Sequence, residues 1–301
     1  MQIESVVGGS LITADIAFGE GPRWHDGRLW LSDIFAKRVL AVGLDGCVET
    51  IATVDGHPSG LGWLPDGTML VVSMLDRTVM RLDPGGLTVH ADLSALCPGN
   101  CNDMVVDGRG NAYVGNTGYQ YAFRGQHVPV RRATHLVLVR ADGSAAAQPG
   151  TLMFPNGCAV NGDNSMLVVA QSHGGRLTAY SIADDGTLHD ERLFAALPSD
   201  SDHPDGICLD AEGAVWMAAP AQRRCVRVLA GGQITHVIDT SPWECIACVL
   251  GGDDGRTLFL LLSPSRHDPD APSFSLGDPP TDARVSRLEA IEVDVPGAGW
   301  P

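Results

Sequence analysis

The stretch Ser59-Gly60-Leu61-Gly62-Trp63-Leu64-Pro65-Asp66-Gly67-Thr68-Met69-Leu70-Val71-Val72 decides how the whole chain is read. A polar residue and a glycine open an apolar strand, an Asp-Gly pair turns the chain, and a stronger apolar strand returns. The same unit lies upstream, where Glu20-Gly21-Pro22-Arg23-Trp24 passes through His25-Asp26-Gly27 to Leu29-Trp30-Leu31-Ser32. It lies downstream in Asn102-Asp103-Met104-Val105-Val106, which passes through Asp107-Gly108 to Ala112-Tyr113-Val114. Asn156-Gly157-Cys158-Ala159-Val160, Asp205-Gly206-Ile207-Cys208-Leu209 and Cys245-Ile246-Ala247-Cys248-Val249 open three more. Counted from Gly21, Gly60, Asp103, Gly157, Gly206 and Ile246, the steps are 39, 43, 54, 49 and 40 residues. Propeller blades repeat at about 40–50 residues.

Most units continue into two further strands, as in Arg38-Val39-Leu40-Ala41-Val42, the Asp45-Gly46 turn and Val48-Glu49-Thr50-Ile51. Four short strands joined by tight turns make one blade. The reading is therefore all-β: a six-bladed propeller with four antiparallel strands per blade, residues 1–301 forming one domain. The six-fold period outweighs a β-sandwich or an up-and-down barrel. A ring must join its ends, so the segment 4–17 is expected to supply the outer strand of the last blade, beside Ser286-Arg287-Leu288-Glu289-Ala290-Ile291-Glu292-Val293. Helical periodicity is nearly absent, with 93–96 the sort of segment that could make a helical turn. The insertions 118–134 and 263–284 read as loops, the second placed to act as a lid.

The composition narrows the function. Twenty Lys and Arg against 36 Asp and Glu leave a net charge of −16, a field that repels nucleic-acid backbones and anionic membranes. Neither partner is expected. The start, Met1-Gln2-Ile3-Glu4, lacks a signal peptide's basic and apolar regions, and no apolar run approaches the roughly 18 residues of a membrane span. A soluble cytoplasmic protein is expected, and self-association stays open. The eight cysteines fall mostly within apolar runs and read as buried thiols. The Cys245-x-x-Cys248 pair lies on a strand with no second pair near it, which argues against zinc. Trp24, Trp30, Trp63 and Trp216 read as core, and Asp26, Asp66, Asp107 and Asp254 as turn residues.

In a propeller the first strand of each blade lines the central channel, so the residues that open those strands converge on the axis. The openers are Glu20, Ser59, Asn102 with Asp103, Asn156 and Asp205. Carboxylate and amide oxygens gathered this way make a cage for a hard divalent cation such as Ca²⁺, Mg²⁺ or Mn²⁺. Asn supplies a neutral oxygen without adding repulsion.

Gly19-Glu20-Gly21-Pro22-Arg23-Trp24, Asn102-Asp103, Phe154-Pro155-Asn156-Gly157 and Pro204-Asp205-Gly206-Ile207 together resemble the SMP-30/gluconolactonase/luciferin-regenerating-enzyme family. The likeness runs over about residues 18–262, with all six units in order. It implies a six-bladed propeller carrying one divalent cation, Ca²⁺ in the first place and Mg²⁺, Mn²⁺ or Zn²⁺ as alternatives. The ligands it implies are Glu20, Asn156 and Asp205, with Asn102 as a fourth ligand or a contact through water. The activity it implies is hydrolysis of a lactone or similar ester. The cation would polarise the carbonyl, and Asp205, or failing it Asp103, would take the proton of the attacking water. A substrate-contacting arginine is common in the family two places before the channel Asn; here that position is Asn100. Pocket walls are sought in His57, Tyr119, Tyr121, Phe123 and His173, a rim that suits an apolar or aromatic lactone better than a polyol. His203 is a candidate to orient Asp205's neighbours by a hydrogen bond. Alternatives are the same fold and metal with phosphotriester hydrolysis or a lyase or isomerase step, and a non-catalytic binding propeller stabilised by calcium.

Overall fold

The repeated Asp-Gly steps work as turns because the aspartate caps its own corner. Asp66 Oδ1 accepts the N–H of Thr68 at 2.9 Å, and Asp45, Asp142, Asp185 and Asp254 do the same two residues ahead. Short apolar runs between such corners pair with their neighbours, and six sheets result. The computed structural model describes residues 4–120, 131–197, 203–265, 268, 272 and 276–298.

Two strands precede the first blade, β1 (Glu4–Val7) and β2 (Ser10–Ile16). The first blade holds β3 (Gly19–His25), β4 (Arg28–Asp33), β5 (Arg38–Val42) and β6 (Val48–Thr53). The second holds β7 (Pro58–Trp63), β8 (Met69–Ser73), β9 (Thr78–Asp83) and β10 (Gly86–Asp92). The third holds β11 (Cys101–Val106), β12 (Ala112–Asn116), β13 (Val137–Val139) and β14 (Ala145–Ala147). The fourth holds β15 (Pro155–Val160), β16 (Met166–Gln171), β17 (Arg176–Ile182) and β18 (Leu188–Ala196). The fifth holds β19 (Ile207–Leu209), β20 (Val215–Ala219), β21 (Arg224–Val228) and β22 (Ile234–Asp239). The sixth holds β23 (Glu244–Gly251), β24 (Thr257–Ser263) and β25 (Ser286–Glu292), and is completed by β2. The result is a six-bladed β-propeller, with one short 3₁₀ turn among the described residues, at Pro220–Gln222.

Ring closure follows the expectation. Ser10 pairs with Ala290 and Ile16 with Ser286, antiparallel, so the last blade is built from both ends of the sequence. Buried Asp33 fixes the corner between β2 and β3 by accepting the N–H groups of Ala17 at 3.1 Å and Phe18 at 2.9 Å. One strand was not expected. β1 adds to the outside of the fifth blade, parallel to β22, with Glu4 opposite His236. Four residues without a hairpin partner carry no pattern from which such pairing could be read.

Burial is layered from the axis outward. Every residue of β7, β8, β11, β12 and β20 is buried, whereas β6, β10 and β18 expose much of their length. Inner strands are covered on both faces by neighbouring blades, which is why they read as unbroken apolar runs. One cluster joins Leu70 and Val72 of β8 to Met104, Val106, Ala112 and Val114 of the third blade. Seven of the cysteines are buried thiols and Cys47 is exposed. Cys208, Cys225, Cys245 and Cys248 pack together between the fifth and sixth blades.

In the second blade the channel admits no side chain at the residue that follows the donor Ser59. A Cβ on Gly60 would stand 2.1 Å from the backbone nitrogen of Met104 and 2.7 Å from the carbonyl carbon of Asp103. Gly60→Ala is therefore expected to cost about 1–3 kcal/mol through forced separation of the second and third blades. Urea unfolding would show this as a lower midpoint with an unchanged slope.

Candidate metal centre

The donors reach the channel mouth because the inner strands break register there. Pairing skips between Glu20 and Arg23, Pro58 and Leu61, Cys101 and Met104, and Pro155 and Cys158. A bulge bends the strand and re-aims its side chains. Each break falls on or beside an opener: Glu20, Ser59, Asn102 and Asn156. In the fifth blade β19 begins only at Ile207, so Asp205 stands just outside the strand, its N–H donating to the Ala218 carbonyl at 3.1 Å.

A chain of hydrogen bonds links four blades across the mouth. Ser59 Oγ donates to Asn102 Oδ1 at 3.4 Å, and Asn102 Nδ2 donates to Asn156 Oδ1 at 2.9 Å. Asn156 Nδ2 in turn donates to Asp205 Oδ1 at 2.5 Å and to Ser172 Oγ at 3.0 Å. Ser172 Oγ donates onward to the Pro204 carbonyl at 2.7 Å. Ser59, Asn102, Asn156 and Ser172 are buried, while Asp205 is half-buried. Glu20, also buried, accepts the Gly21 N–H at 3.3 Å from the first blade. The sixth blade's Cys245 feels the charge of both carboxylates. Its thiol is raised in pKa, against a lowering hydrogen bond to Cys225, by burial and by the charges of Cys248, Asp205 and Glu20.

Glu20 and Asp205 bring two negative charges and only oxygen donors, which fits a hard divalent cation. Among the described residues no three His, Cys, Asp or Glu side chains cluster as a metal site. Amide oxygens from Asn102 and Asn156 would have to complete the coordination. In this arrangement the Asn156 amide nitrogen faces Asp205, so a cation there would turn the amide to present Oδ1.

Asp103 faces elsewhere. Its Oδ1 accepts the N–H of Met104 at 2.8 Å and lies 3.5 Å from Arg23 Nη2. Arg23 reaches across from the first blade, donating also to the carbonyls of Pro22 at 2.7 Å and of Met104. Burial raises the Asp103 carboxyl, and Arg23 and the N–H groups of Met104 and Cys158 oppose that shift. Enclosed in this pair, Asp103 forms part of the channel wall.

The expected pocket residues divide. His57 is fully buried; its Nδ1 lies 2.9 Å from the Ile34 carbonyl and its Nε2 accepts the Gly277 N–H at 2.9 Å. No ring nitrogen is left for a ligand, so this side chain is packing. Asn100 is buried, its carbonyl taking the Thr117 N–H at 3.0 Å. Tyr121 and Phe123 lie outside the described residues. Tyr119 and His173 come together, ring planes 7° apart with centroids at 6.1 Å. His203 Nδ1 donates to the Ser172 carbonyl at 2.6 Å, tying it to the residue that holds Asn156. Three participants were missed in the sequence: Ser172, Arg23 and Phe154. Ser172 follows a second strand and carried no signal. Arg23 and Phe154 sit inside the quoted motifs, but nothing in spacing shows where their side chains go.

Among curated proteins, the chain is 28% identical over 172 residues to a 6-deoxy-6-sulfogluconolactonase of Pseudomonas putida, a match spanning 57% of either chain. It is 22% identical to a pentonolactonase of Haloferax volcanii over 97% of this chain and 95% of that one. Among solved structures, a calcium-binding protein, regucalcin, of Agrobacterium tumefaciens superposes with a TM-score of 0.79 at 20% identity, covering 100% and 99% of the two chains. A luciferin-regenerating enzyme does so with a TM-score of 0.76 at 18% identity, covering 96% of each. These solved structures show the fold. Residues 18–263 match the SMP-30/Gluconolactonase/LRE-like region, and the chain belongs to that family.

Proposed function

We propose that this protein is a divalent-metal-dependent hydrolase that opens a lactone or similar ester. The observation that carries the reading is the hydrogen-bonded set of Asn102, Asn156 and half-buried Asp205, brought from three blades to the mouth that Glu20 also reaches. The family and its lactonase relatives support the same chemistry. Glu20, Asn156 and Asp205 would hold the cation, Ca²⁺ by preference, with Asn102 as a fourth donor. When bound, such an ion supplies Lewis-acid polarisation of the substrate carbonyl.

The chain's own residues do the rest. Asp205 is the one donor of this set open enough to meet water, and its carboxylate would accept the proton that water loses as it attacks. Ser172, held by Pro204 on one side and bonded to Asn156 on the other, fixes the amide next to Asp205. His203 braces the Ser172 carbonyl. Asp103 pairs with Arg23, both side chains enclosed in the channel wall.

EDTA treatment is expected to abolish lactone hydrolysis, and added Ca²⁺ to restore it. Absence of turnover on any lactone with Ca²⁺, Mg²⁺, Mn²⁺ or Zn²⁺ would overturn the proposal. Asp205→Asn should lower kcat by about 10²–10⁴-fold, and Asp205→Ala should also weaken Ca²⁺ binding in calorimetry; full activity of Asp205→Asn would remove it as the base.

Asp103→Asn should behave differently. It strips Arg23 of its counter-charge, so thermal stability falls, by up to about 3 kcal/mol, while calcium affinity stays near that of the parent. A collapse of calcium affinity in a folded Asp103→Asn protein would put Asp103 back in the cage.

A further inference from the structure

Four aromatic side chains of the third, fourth and fifth blades gather into one cluster. His173 lies parallel to Tyr119 and meets Phe154 edge-on, centroids 4.9 Å apart at 75°. Phe154 also meets Tyr119 edge-on at 6.5 Å, and His203 meets His173 at 6.0 Å and 85°. Tyr119 and Phe154 are buried, whereas His173 and His203 are half-exposed. Three of the four are close in sequence to the cage or its support: Phe154 precedes Asn156 by two residues, His203 precedes Asp205 by two, and His173 follows Ser172.

The cluster is held rigidly. Phe154 has a backbone φ of +57°, a left-handed conformation that is costly for a bulky side chain. Its carbonyl accepts the Ser172 N–H at 3.0 Å, and the Met153 carbonyl accepts that of His173 at 3.1 Å. Strain of this kind persists only where the surroundings fix it. Burial, with Arg131 and His203 alongside, lowers the His173 imidazole to about 4, so the ring is neutral at working pH.

We propose that His173, backed by Tyr119 and Phe154, is the specificity-determining wall of the site, and that it selects lactones bearing a fused or attached apolar ring. This rests on the lactonase reading above. A flat apolar ring gains edge and face contacts against such a wall. Against the ring faces of Tyr119, Phe154 and His173 the hydroxyls of a sugar lactone would give up water for aromatic carbon, with only the imidazole edges and Arg131 alongside to receive them. His57 does not restore a polar pocket, because both its ring nitrogens are bound.

The test uses the full chain loaded with Ca²⁺ and three probes: dihydrocoumarin, unsubstituted δ-valerolactone and glucono-δ-lactone. Dihydrocoumarin is expected to exceed glucono-δ-lactone in kcat/KM by at least about tenfold, the size of one or two aromatic contacts. His173→Ala should cut the dihydrocoumarin to δ-valerolactone ratio about fivefold, mainly through KM, and His173→Phe should restore it. Equal rates on the three probes, or a preference untouched by His173→Ala, would overturn the wall and leave the lactonase reading standing. If no lactone is hydrolysed, that reading fails and the wall is judged by calorimetry with chroman, which lacks the carbonyl. Chroman binding that His173→Ala weakens and His173→Phe recovers supports the wall; no chroman binding, or binding indifferent to His173, refutes it.

Discussion

The site depends on how closely neighbouring inner strands approach at the axis. The residue after a donor is glycine in four blades, and at Gly60, Gly157 and Gly206 a single added carbon would collide with the next blade. With that carbon absent, the backbones close up and side chains 43 to 54 residues apart come within hydrogen-bonding reach. Bulges at the same places supply the aim. Contact between backbones therefore sets the spacing of the oxygens, and the blades' outer strands contribute only mechanical support.

The third blade departs from this rule, and the departure explains Arg23. There the residue after the donor is Asp103, whose side chain occupies space that glycine leaves open elsewhere. A buried carboxylate needs a partner, and Arg23 provides one from two blades away while also bonding the Met104 carbonyl. The pair ties the first and third blades together.

Much of this was legible in the sequence. Period, strand count and Asp-Gly corners sufficed for the propeller, and the demand that a ring close sufficed for β2. The opener rule brought Asn102, Asn156 and Asp205 together correctly, because in a propeller a position within the repeat is a position in space. What failed was side-chain direction. Asp103 reads as a free carboxylate beside Asn102, yet the bulge turns it into the wall. His57 reads as a rim residue, yet the loop it anchors takes both its nitrogens. Ser172 and β1 left no trace, the one because a serine after a second strand has no distinctive spacing, the other because a parallel edge strand has no turn to announce it.

Completion of the sixth sheet by β2 bears on how the chain acquires its shape. The Gly9 N–H bonds to Glu289 Oε2 across 280 residues of sequence, and Ser10 aligns with Ala290. Until residues 286–292 have been synthesised, β2 has no antiparallel neighbour and the sheet awaiting it carries an open edge. Contacts so distant along the chain form late and slowly. During that interval the exposed edge would be a natural target for chaperones and a hazard for pairing between copies.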